Sequence, residues 1–334
     1  MPTHNLASGQ GALPSRQRCG ASKVLDCIIP AHEKDFETLS YTVRSLRRCC
    51  PEVRRILLLS RRPVDWVEDL HVEWVDEAAD VWPFRLCDLA DYQCAPGWLF
   101  QQLLKLHAPL LLEGLTEHIL VCDADVVWLT EGLTFFAPPA SAEAAARAFL
   151  CTFRSEACPP IRSAVDLQRY DDFVPAVLPG LSKPRPGSET AVCHHAVVER
   201  RILENLAAEV EESSPGRAFW QVFCHAARSC GGRASEYELY HAFATSRFPD
   251  HVQTRSLSFA VVADIQATEA TPPPGVAFAV AHSHLRGLSA EDLKDRLGVI
   301  NGDTEGEILR RFAGGHVELM GILQASGMMG IENE

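Results

Sequence analysis

Short apolar runs alternate with amphipathic segments along the first 130 residues. Apolar runs typical of buried strands lie at 24–29, 55–60 and 118–122, and helix-spaced apolar positions fill 36–50 and 98–112. Strands and helices that alternate at this spacing are typical of βαβ units with a parallel sheet. We therefore expect an α/β fold with a mostly parallel sheet flanked by helices.

The remainder of the chain is richer in helical patterns. Further strands are expected at 72–75, 126–129, 149–153 and 278–281. Helices are expected at 197–212, 217–229, 235–248, 288–297 and 305–325. The chain shows no internal repeat and no clean linker, so we expect a disordered tail over 1–22 and one domain over 23–334.

Composition narrows the class of protein. With 334 residues and 47% hydrophobic residues the chain is long enough for a sizeable core. Its net charge of −13 argues against a general nucleic-acid role, and no apolar run is long enough to cross a bilayer. Twelve cysteines without a C-x-x-C pattern favour a reducing compartment, and we expect a cytoplasmic protein. The tail carries Arg16 and Arg18 but no acidic residue, which leaves organelle targeting as an alternative.

Basic residues are concentrated near the amino terminus despite the negative total. This excess indicates either solvated helix faces and strand ends or a docking patch for an acidic partner or membrane surface. The arginines concerned are Arg44, Arg47, Arg48, Arg54, Arg55, Arg61 and Arg62.

A D-x-D motif follows one of the predicted buried strands. Asp123 and Asp125 come directly after the run at 118–122, and ligands bind at the carboxyl ends of strands in open α/β sheets. Two carboxylates at this spacing can supply oxygen ligands to one divalent ion, which in turn can bridge a nucleotide diphosphate. An ordinary strand-end turn is the alternative.

Two histidines follow the last predicted strand. His282 or His284 can complete the coordination of a metal that also has carboxylate ligands. Residues two apart in a strand point to opposite faces, so at most one of the pair is expected to be a ligand. A purely structural role is the alternative for each.

Ser235 and Glu238 have the spacing of a capping box at the start of a helix. Ser235 is expected to be the N-cap, and this motif accounts for Glu238. Glu236 lies in the first turn, where the helix dipole favours a carboxylate and where it can also serve as a base.

Further polar residues lie near these motifs. The adjacent His194 and His195 can contact phosphate or an acceptor hydroxyl, or can be satisfied loop residues. Lys105 lies with Trp98 and Gln102 on the predicted helix that leads to the D-x-D strand. It can face a phosphate, although helix lysines are usually solvated.

Taken in order, the motifs resemble those of GT-A-fold glycosyltransferases. The resemblance covers roughly residues 24–285. It depends on PAHEKD at 30–35, GWLFQQLLKL at 97–106, ILVCDAD at 119–125, CHH at 193–195, SEYELY at 235–240 and a late histidine.

The resemblance implies a hexosyl- or pentosyltransferase that moves a sugar from a nucleotide-sugar, with a UDP-sugar favoured, to a glycan or other hydroxyl acceptor. By the same resemblance, Mn²⁺ or Mg²⁺ binds Asp125, Asp123 and His282, which is preferred to His284, and Glu236 deprotonates the acceptor. Donor-binding residues would be Pro30, His32, Lys34, Asp35, Gln102, Lys105 and Asp123. Residues near the acceptor or donor sugar would be Trp98, His194, His195 and Tyr237.

Two other functions compete with this interpretation. VCDADVV resembles the nucleophile strand of haloacid-dehalogenase-like phosphatases, in which Asp123 would attack a phosphate, Asp125 would act as acid and base, and 301–303 would supply a late acidic motif. A sugar-nucleotide-binding protein without turnover is the second alternative. The segment at 188–192 lacks the glycine that the glycosyltransferase pattern offers there, which leaves the donor sugar open.

Overall fold

A computed structural model describes most of the chain. The described residues are 24–92, 95–138, 141, 147–154, 168, 170–272, 274–283 and 286–288. The predicted tail and, apart from Leu288, the two predicted closing helices lie outside this part of the chain.

A five-stranded sheet forms the centre of the fold. Its strands are β1 (Leu25–Pro30), β2 (Val53–Ser60), β3 (Val72–Asp76), β4 (His118–Cys122) and β9 (His195–Glu199). They lie in the order β3-β2-β1-β4-β9. The first four run parallel, and β9 runs antiparallel to β4. The predicted α/β class with a mostly parallel sheet flanked by helices is therefore confirmed.

Seven shorter strands form three small sheets. They are β5 (Val126–Trp128), β6 (Ala148–Cys151), β7 (Phe153–Arg154), β8 (Glu189–Thr190), β10 (Val252–Arg255), β11 (Phe259–Val261) and β12 (Phe278–Val280). β12 lies between β5 and β11, β6 pairs with β10, and β7 pairs with β8.

The helices lie on both faces of the central sheet. They are α1 (Phe36–Cys49), α2 (Pro96–Leu111), α3 (Phe173–Val177), α4 (Arg200–Ser213), α5 (Phe219–Ser229), α6 (Glu236–Arg247) and α7 (Ile265–Ala270). Short 3₁₀ helices add Glu33–Asp35 and Leu86–Tyr92. α1 begins soon after β1 and ends just before Pro51, and α2 begins at a proline, a residue favoured in the first helical turn.

Alternate side chains of the central strands enter two separate cores. Along β4, Ile119 and Val121 pack on the side of α2 to α6, whereas Leu120 and Cys122 pack on the side of α1. This alternation follows from the two-residue period of a strand. Because both faces of the inner strands are buried, these strands appear in the sequence as continuous apolar runs.

Most predicted elements agree with the structure to within a few residues, and one prediction is wrong at its start. Residues 197–199 were expected to begin a helix, but they belong to β9, all five residues of which are buried. The helix starts at Arg200, where the chain leaves the sheet. β10, β11 and α7 are further elements that the sequence pattern did not predict.

Five of the seven arginines near the amino terminus make hydrogen bonds or ion pairs within the fold. Arg47 donates to the carbonyls of Arg54 and His71. This arrangement fits solvated, locally paired helix faces and strand ends better than a docking patch. The ion pairs are Arg48 with Glu269, Arg54 with Asp26, Arg55 with Glu73, and Arg62 with Glu33.

The cysteines and the helix lengths can be compared with the sequence. The nine cysteines that the structure describes are free thiols. None of the described helices is both long and apolar enough to span a membrane. The cytoplasmic location stays a prediction.

Candidate active site

Polar side chains meet at the carboxyl ends of β1 and β4. These strands are parallel neighbours, so the residues that follow them lie at the same edge of the sheet. Asp123 comes directly after β4, and its backbone N–H donates to the carbonyl of His194 at 2.9 Å, immediately before β9. The predicted position of the D-x-D motif, after a buried parallel strand, is confirmed.

Both carboxylate oxygens of Asp123 contact side chains of the protein. Oδ1 accepts from Lys105 Nζ at 2.5 Å and from Tyr237 Oη at 3.0 Å, and Oδ2 lies 2.9 Å from His194 Nδ1. Burial would raise the pKa of Asp123, but Lys105 and His194 outweigh it and lower the pKa below its ordinary value. The carboxylate is therefore ionised and held from three directions.

Lys105 joins the D-x-D motif to α6. Its Nζ also lies 2.7 Å from Glu236 Oε1 and 4.7 Å from the centre of the Tyr237 ring, and its side chain is 5% exposed. Burial lowers the pKa of Lys105, but Asp123 and Glu236 outweigh this and raise it overall. The sequence left a solvated lysine open, whereas the structure buries this one between two carboxylates.

Glu236 is placed by the cap of α6. Ser235 is the N-cap, as predicted, and its hydroxyl accepts from Glu238 N at 3.2 Å. The backbone N–H of Glu236 donates to Gln102 Oε1 at 3.2 Å, which ties the start of α6 to α2.

Burial, with Asp123 and Glu236 nearby, raises the pKa of Tyr237, so the phenol keeps the proton that it donates to Asp123.

The residues around Asp125 fit a divalent metal ion. Asp123, Asp125 and His194 each offer a ligand atom within 4.8 Å of the others. Among the described residues, Asp125 Oδ1 and His194 Nε2 are buried without a hydrogen-bond partner. Buried polar atoms normally have partners, and carboxylate oxygens with an imidazole nitrogen suit Mn²⁺ or Mg²⁺, so an ion would satisfy these atoms.

His282 lies beside this cluster. Its Nδ1 is 3.4 Å from Asp125 Oδ2, and its ring centre is 5.1 Å from that of His194. The preference for His282 as the third ligand stays a prediction, and the geometry adds His194 to the ligand candidates. His284 lies outside the described residues. No regular spacing links His194 to the D-x-D motif, but its place just before a strand that pairs with β4 brings them together.

The left-handed backbone of His194 supports a specialised role for this residue. Its φ is +59°, a region that residues other than glycine adopt uncommonly. This conformation accompanies a double contact with Asp123, through the His194 carbonyl and through its ring. Such backbone conformations concentrate at functional sites, where the surrounding structure enforces them.

The predicted nucleotide loop follows β1. Asp35 is buried, and its Oδ1 accepts from Arg286 Nη2 at 2.8 Å. Burial and the nearby carboxylate of Asp125 raise the pKa of Asp35. Pro30 ends the strand, while His32 and Lys34 are exposed in the loop.

Other predicted residues lie outside this cluster. His195 packs its ring against Trp128 and Phe278, at 4.8 and 5.1 Å between ring centres, and its Nδ1 contacts the carbonyl of Cys193. Trp98 is half-buried and packs against the core on the side of α2. The structure therefore does not bring His195 to Asp123, and the site role of Trp98 stays a prediction.

The sequence pattern explained Glu238 by a capping box, but its side chain does not bond to the backbone of Ser235 as that motif requires. The backbone of Glu238 takes part in the cap, but its carboxylate accepts from Thr190 Oγ1 at 2.6 Å and pairs with Lys183 Nζ at 3.2 Å. Because Glu238 is 1% exposed, this carboxylate requires donors within the fold. Neither donor was predicted from the sequence, because both lie in a segment rich in proline and glycine.

The phosphatase alternative is not favoured. That interpretation gives no role to Lys105, Tyr237 and His194, all of which contact the Asp123 carboxylate. The late acidic motif that this alternative uses, at 301–303, lies outside the described residues.

Comparisons with known proteins give similarity in structure only. No protein-family model matches the chain, and no curated protein sequence matches it. The apo form of mouse xyloside xylosyltransferase 1 is 11% identical with a TM-score of 0.39, over 78% of this chain and 99% of that chain. The galactosyltransferase LgtC, in complex with donor and acceptor sugar analogues, is 8% identical with a TM-score of 0.34, over 88% and 96% of the two chains. An active-site mutant of LgtC is 10% identical with a TM-score of 0.37, over 84% and 98%. These three solved structures are glycosyltransferases, but at TM-scores below 0.5 the similarity carries no argument about this chain.

Proposed function

We propose that the chain is a metal-dependent glycosyltransferase that moves a sugar from a nucleotide-sugar, with a UDP-sugar favoured, to the hydroxyl of a glycan or other acceptor. The observation that carries the proposal is the cluster of Asp123, Asp125 and His194 at the carboxyl edge of the sheet, directly beside the Lys105–Glu236 ion pair. Metal ligands and a potential base thus share one buried site.

The donor set suits a nucleotide diphosphate held through a cation. Asp35, Asp123, Asp125 and Glu236 bring four carboxylates to this edge, which by themselves would repel a diphosphate. A bound Mn²⁺ or Mg²⁺ would supply the positive charge that stabilises the departing diphosphate. Asp125 and His194 have the buried atoms that such an ion would satisfy.

The chain's own residues divide the remaining roles. Glu236 is the proposed base that takes the proton from the acceptor hydroxyl, and Lys105 holds its carboxylate next to Asp123. Tyr237 and His194 orient Asp123. The loop from His32 to Asp35, which follows β1 at the same edge, is the proposed nucleotide contact.

The test uses the full chain with UDP-, GDP- and CMP-sugars and hydroxyl acceptors, in Mn²⁺ and in EDTA. We expect transfer from one nucleotide class in Mn²⁺ and none in EDTA. Glu236→Gln should lower transfer by about 10²-fold or more while nucleotide binding survives, because the substitution removes the base and keeps the shape.

A matched control separates charge loss in general from loss at the site. Glu209→Gln removes a carboxylate paired with Arg247 on the surface, and it should leave transfer unchanged. Unchanged transfer in Glu236→Gln would remove Glu236 from the mechanism. Metal-dependent nucleotide binding without transfer or hydrolysis would instead identify a binding protein without turnover.

A further inference from the structure

A second buried polar network lies on the other side of the first turn of α6. Glu238 is two residues after Glu236 and 1% exposed, and its carboxylate meets Lys183 at 3.2 Å and Thr190 at 2.6 Å. Lys183 also lies 3.0 Å from Asp171 Oδ1. A network of this kind is costly to bury, so its position beside the site calls for a physical reason.

Thr190 links this network to the segment that carries His194. Its hydroxyl donates to Glu238 Oε1 and accepts from the backbone N–H of Val192 at 3.2 Å. The next residue, Cys193, turns the chain through a hydrogen bond to Ala191 at 2.9 Å. The hydroxyl thus holds the chain two residues before His194, whose backbone is left-handed.

The two sides of the network converge on the same carboxylate. From Thr190 the chain reaches His194, which lies 2.9 Å from Asp123 Oδ2. From Glu238 the first turn of α6 leads to Tyr237, which donates to Asp123 Oδ1 at 3.0 Å. The contact between Thr190 and Glu238 therefore joins the two segments that carry these groups.

We propose that Lys183, Glu238 and Thr190 form a positioning network that sets the geometry of His194 and of the first turn of α6 around Asp123, and with it the metal affinity of the site. This inference rests on the proposed metal-dependent transfer. None of the three residues is proposed to touch substrate or metal.

The direct test measures the Mn²⁺ affinity of the full chain, with Mn²⁺ alone as the probe and the free ion followed by electron paramagnetic resonance. Thr190→Val keeps the shape but removes the hydroxyl, and it should weaken Mn²⁺ binding about tenfold or more. Thr190→Ser restores a hydroxyl and should bind Mn²⁺ within about twofold of the unmodified chain, on the same reasoning.

Tyr240→Phe is the matched control. It removes a buried hydroxyl on the same helix, one that accepts from the backbone N–H of Glu199 at 2.8 Å and so belongs to a different hydrogen bond from those of Thr190 and Asp123. Its Mn²⁺ affinity should remain unchanged. Equal loss in Tyr240→Phe and Thr190→Val would indicate general loosening of the fold and would overturn the proposal.

Three further outcomes would also overturn it: no Mn²⁺ binding by the unmodified chain, unchanged affinity in Thr190→Val, or failure of Thr190→Ser to recover. Where transfer is measured as well, Thr190→Val should lower kcat about tenfold at saturating donor, because the groups around Asp123 are displaced. A different result would contradict the proposed function alone. In that case the unmodified chain, Thr190→Ser and Tyr240→Phe bind Mn²⁺ and Thr190→Val binds it more weakly, but no nucleotide-sugar supports transfer.

Discussion

Replacement of Lys105 by methionine tests the central electrostatic feature of the site. Methionine keeps much of the side-chain length and removes the ammonium that lies 2.5 Å from Asp123 and 2.7 Å from Glu236. The two carboxylates are 20% and 7% exposed, so the loss leaves negative charges with little access to water. Breaking a buried pair by removing one partner costs about 3–5 kcal/mol.

The expected loss is measurable by urea or thermal unfolding at pH 7.5. The unfolding entropy is about 2.1 cal/mol/K per residue, so for 334 residues each kcal/mol corresponds to about 1.4 °C, and Lys105→Met should lower Tm by roughly 4 to 7 °C. Glu236→Gln alone should cost less, because Lys105 and Asp123 remain paired. The double variant should recover part of the loss of Lys105→Met, since only one buried charge then lacks its cation.

The comparison of the three variants shows whether Lys105 and Glu236 stabilise the fold together. A coupling free energy of about 1 kcal/mol or more between the two positions is expected for groups in direct contact. Additive effects, or a Tm of Lys105→Met close to that of the unmodified chain, would refute the idea that this ammonium offsets two buried carboxylates.

Three other predictions concern the fold around the site. Burial lowers the pKa of both His107 and His241 from 6.5 to about 4. As the pH falls, these histidines therefore bind protons in the unfolded chain before they do so in the folded chain. The free energy of unfolding should fall by about 3 kcal/mol per histidine between pH 7 and pH 4. Urea unfolding of His107→Phe and His241→Leu should show a shallower pH dependence, and an unchanged slope would contradict the assignment. Ser235→Ala removes the α6 cap and should cost about 1 kcal/mol of unfolding free energy, with Ser235→Gly closer to the unmodified chain. Arg54→Met removes two hydrogen bonds to the fully buried Asp26 and should cost about 2 kcal/mol in the same assay, whereas a change within the error of the measurement would show that the pair contributes nothing.

The central strands were predictable because their environment leaves a simple pattern. Both faces of β1, of β4 and of the second half of β2 are buried, so most of these side chains are apolar, and the runs end at residues such as Pro30 and Asp123. β9 was harder, because it continues into α4 without a proline or glycine between them. Its pairing with β4, from a distant part of the chain, decides where the strand ends.

The candidate site was predictable only in part, for a similar reason. Strand-end geometry identified Asp123 and Asp125, and the capping pattern placed Glu236 at a helix start. The burial of Lys105 depends on two carboxylates that meet it only after folding. The contact of His194 with Asp123 likewise depends on the β4–β9 pairing.

The most direct measurement of the central claim is the thermal stability of the purified chain with UDP-, GDP- and CMP-sugars, each in Mn²⁺ and in EDTA. A ligand at about 100 times its dissociation constant stabilises the native state by about 2.7 kcal/mol. We predict a rise in Tm that requires both Mn²⁺ and one class of nucleotide and that disappears in Asp125→Asn. No rise with any nucleotide, or an equal rise in EDTA, would contradict a metal-dependent nucleotide-sugar site.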